Sequence, residues 1–574
     1  MPRFAFILTA ILALAPTAKP APPDLPTHHR RPVALVTRDN GRHMLVANRA
    51  SGTISIVNIR SQRVLSETRV GQSAADVALT PDQHHLLVLD PRQRLLTCCR
   101  LDKHAVRVAF RIDLPLEPTR LAIHPNGKKL AISSRWSSRV LVADLPISEQ
   151  TQFQVVSLPV PGRHLIWLPV PDRLIVADAF GGQLTLVDSR AGRPLHTHQL
   201  PAHNIAGLAI SPDNSHLVVS HQVLNSAART TNNDVFWGLL MTNNLRRIPL
   251  PDLLGQKPLT VKRNEVVMLG QPGQAAGDPA GVAIRRDGSF VVALSGTNQV
   301  GTGRPDSFEL ARVSVGRRPT GLWLAPNGAR AIVTCELDDR IDVIDLGATP
   351  SATSISLGPR PELTPFDRGE RLFFDASLSR NGWMSCHSCH TDGHSNGRLA
   401  DTLGDGHYGN AKRVLSLLGT IDTRPWAWDG RMSTLRAQVT HSVATTMRGA
   451  PPTPRQLGDL VAFIEGLEQP APARLSTIAS QPVEVLRGQR LFGQLDCRRC
   501  HAPPLYTTPD TYDVGIGDLK ANPPSLRGVS QRPRLFHDNR ARSLEEVIGK
   551  FEHQLPRELT ERERRDLLSF LRSL

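Results

Sequence analysis

The sequence predicts a multidomain chain, an all-β propeller of about seven blades followed by two all-α modules, and three observations predict it. A strand-and-turn unit recurs through the first 350 residues, hydrophobic spacing turns helical beyond Gly358, and the helical part carries the same short cysteine motif twice.

The recurring unit is an apolar strand, a Pro-Asp/Asn-Gly type of turn, a second apolar strand, and a third ending in Val-Asp or similar. Its turns fall at Asp39, Pro81-Asp82, Pro125-Asn126, Pro171-Asp172, Pro212-Asp213, Asp287 and Pro326-Asn327. Most lie about 40 to 46 residues apart, the range of four-stranded propeller blades. The interval from Asp213 to Asp287 is roughly thirty residues too long, so an insertion at about 225–277 is expected in the fifth blade. Runs such as His43-Met44-Leu45-Val46-Ala47-Asn48 and Thr53-Ile54-Ser55-Ile56-Val57-Asn58 are β-rich and short, and a closed ring of blades leaves few exposed strand edges. A propeller over 30–350 follows. Phe236-Trp237-Gly238 in the insertion either caps the helical modules or packs onto its own blade.

Pro359-Arg360-Pro361 marks the hinge to the helical region. Leu457-Gly458-Asp459-Leu460-Val461-Ala462-Phe463-Ile464 and Leu567-Leu568-Ser569-Phe570-Leu571 each place apolar residues on one helical face. Two similar modules are expected, 362–467 and 484–574, joined by a Pro- and Ala-rich linker at 468–483. Their openings match, Arg368-Gly369-Glu370-Arg371-Leu372-Phe373 in one and Arg487-Gly488-Gln489-Arg490-Leu491-Phe492 in the other.

The motifs themselves are Cys386-His387-Ser388-Cys389-His390 and Cys497-Arg498-Arg499-Cys500-His501. CxxCH attaches c-type haem: the thiols form thioethers, and the adjacent histidine ligates iron. Two covalently bound c-type haems are expected, held by Cys386, Cys389 and His390 and by Cys497, Cys500 and His501, which makes the two helical modules cytochrome c-like. Zinc would use all four cysteines at one site and leave both histidines without a role. Cys98, Cys99 and Cys335 read as buried thiols.

Met1-Pro2-Arg3, the apolar stretch Phe4 to Leu14 and the small residues Ala13, Ala15 and Ala18 read as a signal peptide, 1–18, so the expected location is periplasmic or otherwise exported. No membrane span is expected after its cleavage. The formal charge of +16 comes from scattered arginines; without a basic tract interleaved with aromatics, nucleic acid is excluded as a partner and a solvated arginine-rich surface is favoured, with attraction to an acidic redox partner as its functional alternative.

Leu372-Phe373-Phe374-Asp375 with Leu378-Ser379, Trp428-Asp429-Gly430-Arg431, Phe536-His537-Asp538 and Ser543-Leu544-Glu545-Glu546-Val547 together resemble the bacterial dihaem cytochrome c peroxidase family, which includes the MauG-type enzymes. Residues 30–350 resemble the YVTN-type seven-bladed propellers of exported bacterial proteins. The family resemblance implies an oxidoreductase in which one haem receives electrons and passes them to a second that reacts with peroxide or a related small oxidant. It implies a small cytochrome or cupredoxin as electron donor, Trp428 between the haems, and His407 as a removable sixth ligand of the first haem, with His394 as its rival. It also implies a calcium site between the modules, which lacks support because Arg413 stands near the usual asparagine ligand.

Two departures matter. Where the family has an acid before a methionine, this chain has Thr445-Thr446-Met447, and threonine is a poor base for moving a proton during O–O cleavage. After Met447 there is no methionine to serve as the second haem's sixth ligand. His553 is expected there with His501, with His537 as rival and Tyr506 or Tyr512 as a MauG-like third choice. The alternative function is a non-enzymatic electron-transfer cytochrome whose propeller docks a partner.

Overall fold

The computed structural model describes residues 25–574 except 261, 263–264, 308, 404, 470–482, 516–519 and 533. The signal-peptide reading of 1–18 lies outside the described residues, as does the linker reading across 470–482.

Seven four-stranded antiparallel sheets form the first half, each a meander of four consecutive strands. They span 32–69, 76–113, 120–157, 162–199, 203–268, 279–314 and 319–356. The innermost strand of each sheet packs beside that of the next, and Pro32–Arg38 packs beside Pro319–Leu324, so the ring closes. The second and third strands of a blade are sandwiched between neighbouring blades and are buried on both faces, as in His85–Asp90 and Lys129–Ser133. That is why they read as continuous apolar runs and not as alternating ones. The outer strand Val106–Asp113, with one face in water, does alternate.

The repeated turns have a local cause. At Asp82, Asn126, Asp213, Asp287 and Asn327 the side-chain oxygen accepts from the backbone N–H two residues on, at 2.9 to 3.1 Å. This is the turn that aspartate and asparagine make for themselves.

No strand is exchanged between first and last blades, so side chains latch the ring. The backbone N–H groups of Arg30 and Arg31 donate to Asp339 Oδ1 at 2.9 and 2.7 Å. The fully buried Arg30 guanidinium bonds Glu67 at 2.7 Å and the Pro359 carbonyl at 2.8 Å. Arg31 continues the latch to Asp367 and Glu370 at 2.9 and 2.8 Å, tying the ring to the helical region.

The fifth blade corrects the expected insertion. The stretch 225–277 contains that blade's third and fourth strands, Met241–Pro249 and Val266–Met268. The added chain is a loop at 225–240 carrying helix α1 (Asn232–Phe236), a short helix α2 (Leu250–Leu254), and the segment leading to blade six. Met241–Pro249 hides from pattern reading because Asn243, Asn244 and Arg246 are polar yet 1 to 4% exposed.

The helical region begins with α3 (Pro365–Phe373), α4 (Cys386–Cys389), α5 (Leu435–His441) and α6 (Pro454–Glu465). It continues with α7 (Val483–Gln494), α8 (Leu544–Gly549) and α9 (Glu561–Leu571). Capping boxes start α3, α6 and α9, at Thr364 with Asp367, Thr453 with Gln456, and Thr560 with Glu563. Helices α3 and α6 cross where a Cβ on Gly369 would collide with the Asp459 carbonyl; α7 and α9 repeat the crossing at Gly488 and Asp566. Each crossing is fastened by a bidentate ion pair, Arg368 on Asp459 at 2.8 and 2.7 Å and Arg487 on Asp566 at 2.6 and 2.9 Å. Among the described residues no helix is long and apolar enough to cross a membrane.

Candidate haem centres and the propeller beneath the first

Helix α4 is one turn of CxxC, started by Ser385. The Ser385 hydroxyl accepts from the His387 N–H at 3.1 Å, and the Ser388 hydroxyl accepts from the Ser385 N–H at 3.0 Å. Both hydroxyls then donate to one carboxylate from the propeller, Asp278, at 2.5 and 2.6 Å. His203 Nε2 donates to the Ser388 carbonyl at 3.0 Å. A buried amide chain runs from Asn204 through Gln222 to Asn243, at 2.8 Å per step, and ends on the Trp383 carbonyl at 3.0 Å. Just past the motif, Asp392 meets Arg135 at 2.8 Å and Arg163 at 3.2 Å. Burial would raise its carboxyl, but Arg163, Arg135, His387 and Arg318 outweigh burial and hold it well below the usual range. The attachment turn therefore sits on a polar bed formed by the propeller.

Burial, followed by the neighbouring Asp278, pushes the Cys386 thiol up to about 12, and burial does the same at Cys389. Neither is a thiolate at neutral pH, which disfavours a free nucleophile at either position. His390 Nδ1 lies 2.9 Å from the Leu415 carbonyl, which can only accept. The proton is thereby fixed on Nδ1, leaving Nε2 with a free lone pair, the arrangement of a metal-ligating histidine. Burial pushes this imidazole down to about 4, so it is neutral.

Cys386, Cys389 and His390 line a cavity of about 280 Å³. Its wall is mostly apolar, from Phe373, Leu417, Leu435, Val439, Val443, Leu460 and Ile464 among others, and Asn522, Pro523 and Arg532 of the second module reach it. This donor set and lining fit a covalently attached haem. Thr446 and Met447 are in the wall, on and just after the π-helical turn Ser442–Thr446 that extends α5. Two wall residues escaped the sequence reading. Gln438 keeps a buried Oε1 without a partner, and His441, one turn on, has its Nε2 3.4 Å from the Thr402 carbonyl. Only helical spacing back from Thr446 could have suggested them.

His407 lies exposed on the 401–410 loop and is not in the cavity wall. Its rival His394 is buried with both ring nitrogens engaged, Nδ1 to Ser416 Oγ at 2.9 Å and Nε2 to the Gln531 carbonyl at 3.3 Å.

Around the second motif, His501 Nδ1 lies 3.2 Å from the Tyr506 carbonyl, repeating the His390 arrangement. Burial pushes His501 down to about 4, with the Tyr506 bond opposing and the charge of His553 contributing. His553 packs its ring edge-on to Phe536, 5.3 Å between centroids. Tyr506 packs with Phe492 and Phe570 on the side that orients His501, and the Tyr512 hydroxyl bonds the Arg499 carbonyl at 2.9 Å.

Trp428 sits at the junction. Its Nε1 donates to the Arg413 carbonyl at 2.8 Å, and its own carbonyl accepts from the Asn522 N–H at 2.8 Å. Its ring meets that of His537, 6.2 Å between centroids, and lies under the Arg413 guanidinium at 5.3 Å. Arg413 spans the modules, donating from Nε to the Phe536 carbonyl at 2.9 Å and from its backbone to His537 at 2.6 Å. A buried guanidinium beside Arg532 is a poor neighbour for calcium, and no cluster of three or more His, Cys, Asp or Glu with metal-site geometry occurs among the described residues.

Residues 366–466 match the family model described as di-haem cytochrome c peroxidase. The methylamine utilization protein MauG of Methylorubrum extorquens is 28% identical over 294 residues, 38% of this chain and 81% of that protein. Cytochrome c551 peroxidase of Nitrosomonas europaea is 24% identical over 268 residues, 36% of this chain and 78% of that one. Hydrazine synthase subunit gamma of Kuenenia stuttgartiensis is 24% identical over 270 residues, 36% of this chain and 76% of that one. Among solved structures, Kuenenia stuttgartiensis hydrazine synthase aligns with a TM-score of 0.47 at 18% identity, over 58% of this chain and 99% of that one. The C-terminal region of the chain, which follows a seven-bladed β-propeller, is thus similar to the di-haem cytochrome c peroxidase and MauG proteins.

Proposed function

We propose that the chain is an exported oxidoreductase of the cytochrome c peroxidase type, with two covalently attached haems and hydrogen peroxide or a related small oxidant as substrate. The haems would supply the redox chemistry, taking electrons from a donor protein such as a small cytochrome or cupredoxin and delivering them to the oxidant. His390 would hold one and His501 the other, each with its Nδ1 proton locked on a carbonyl. The observation that carries the reading is the cavity beside His390, whose wall also offers the unpartnered Gln438 Oε1 and the imidazole of His441.

His441 supplies what Thr446 cannot. An imidazole takes a proton from one oxygen of a bound peroxide and returns it to the other, which leaves as water. Gln438 orients the peroxide, since its free oxygen accepts a hydrogen bond. On the second module His553 would be the second imidazole holding the His501 haem; it packs edge-on to Phe536. Trp428, in contact with groups of both modules, assists electron transfer between them.

Peroxide consumption by the holoprotein tests this. His441→Gln should lower turnover by about 10²-fold or more, the usual worth of a positioned acid–base group, and Trp428→Phe should slow electron equilibration between the haems while leaving both spectra intact. Undiminished turnover in His441→Gln would remove that residue's role. One observation favours the second reading, electron transfer without catalysis. Met447 is buried in the wall of the same cavity, and its thioether bound to iron would close the site.

A further inference from the structure

Two residues in the wall of the His390 cavity come from the propeller, Leu224 and Leu240 among the described residues. They flank the loop 225–240 of the fifth blade: Leu224 ends the strand His216–Leu224, and Leu240 precedes Met241–Pro249. That loop is fastened to the haem module. Trp383 Nε1 donates to the Phe236 carbonyl at 3.1 Å, and Arg448 Nε donates to the Thr230 carbonyl at 2.5 Å. The Arg229 guanidinium lies 5.7 Å from the Tyr408 ring centroid, and its backbone forms a parallel bridge with Asp401. Val235, Leu240 and Met241 share one buried cluster with Trp383, Met384, Val443 and Met447. The buried cluster is continuous from blade to helical module. Leu224 ends one strand and Leu240 immediately precedes the next, so both sit on backbone held by the sheet.

We propose that the fifth-blade loop is the selectivity wall of this cavity: Leu224 and Leu240, backed by Met447, admit ligands of peroxide size and exclude alkylated ones. The inference rests on the reading that an external ligand reaches the His390 iron. It gives the propeller a part in choosing the substrate, in addition to holding the attachment turn.

Alkyl isocyanides of increasing bulk, titrated into the reduced holoprotein and followed by absorbance, test the wall without any turnover. In the unaltered protein methyl isocyanide should bind far more tightly than tert-butyl isocyanide. Leu224→Ala and Leu240→Ala should each reduce the ratio of the two dissociation constants at least about tenfold, the scale set by a few methylenes in an apolar pocket. Leu224→Phe should increase it. Because Leu240 is 1% exposed and its truncation could unfold the loop, the partly buried Leu224 supplies the paired enlarging and narrowing variants. An unchanged ratio in both Leu224 variants would overturn the selectivity wall while leaving the peroxidase reading in place. Failure of the unaltered protein to bind even methyl isocyanide or cyanide would overturn that reading and the wall with it.

Discussion

In both haem modules an arginine beside a glycine, Arg368-Gly369 or Arg487-Gly488, grips an aspartate on a crossing helix, Asp459 or Asp566. An aromatic pair packs behind each crossing, Phe373 with Phe463 at 5.0 Å and Phe492 with Phe570 at 5.3 Å. Each CxxCH histidine then points Nδ1 at a backbone carbonyl. The surroundings differ. The first module's attachment turn is seated on Asp278, His203 and Gln222 of the propeller, while the second packs around its own apolar core with His553 nearby. One framework has been placed in two environments: the first module's attachment turn lies against the propeller, with Leu224 and Leu240 in the wall of the cavity beside His390, while the second lies in its own apolar core, where His553 packs against Phe536.

The largest expected effect tests what the modules share. Gly369→Ala and Gly488→Ala each push a methyl into a backbone carbonyl and should destabilise the respective module by about 3 kcal/mol, read from thermal unfolding of the holoprotein. A shift of less than about 1 kcal/mol in either would mean that the two crossings are not equivalent.

Next comes what they do not share. Asp278→Ala leaves the buried Ser385 and Ser388 hydroxyls without their acceptor and should cost about 2 kcal/mol. The loss should be confined to the first module, seen as faster hydrogen exchange at 385–392 with no change around 497–501. Equal loosening of both attachment turns would contradict the asymmetry.

Acid should loosen the junction between propeller and first module. Burial pushes His221 down to about 4 and His394 to about 3, whereas the unfolded chain titrates near 6.5. Below that pH the unfolded state binds more protons. The stability these histidines contribute is therefore complete above about pH 6.5 and is lost as the pH falls toward 4. A stability curve flat from pH 7 to 4 would show that neither imidazole is buried neutral.

The smallest effect belongs to His407. Exposed and outside the cavity wall, His407→Ala should alter stability by less than about 0.5 kcal/mol and leave the first haem's ferric spectrum unchanged. A new high-spin signal in that variant would restore it as a sixth ligand.

The parts legible in the sequence are those set by local chemistry. Seven turns could be read because aspartate or asparagine closes most of them through its own backbone. The resemblance between the modules was legible because Arg-Gly-x-x-Leu-Phe recurs within one helix. What escaped depends on residues distant in the chain. The strand Met241–Pro249 was hidden because its buried side chains include the amides of Asn243 and Asn244 and the guanidinium of Arg246, and Asn243 finds its partners on the adjacent strand, at Gln222, and at the Trp383 carbonyl of the helical region. Asp278 looks like an ordinary loop aspartate until residues more than a hundred positions later bring two hydroxyls to it. Leu224 and Leu240 carry no pattern that would place them at a cavity. Trp428 was marked by the family resemblance, and the structure adds its contacts to His537 and Arg413.

The proposed function requires one iron beside the propeller that is open to an external ligand and a second that His553 closes. Electron paramagnetic resonance of the holoprotein, recorded fully oxidised and half-reduced, with and without cyanide, tests it most directly. The account predicts one low-spin ferric signal that cyanide leaves alone and that His553→Ala converts, together with a high-spin signal that cyanide converts to low spin. Two low-spin signals indifferent to cyanide in both oxidation states would contradict it.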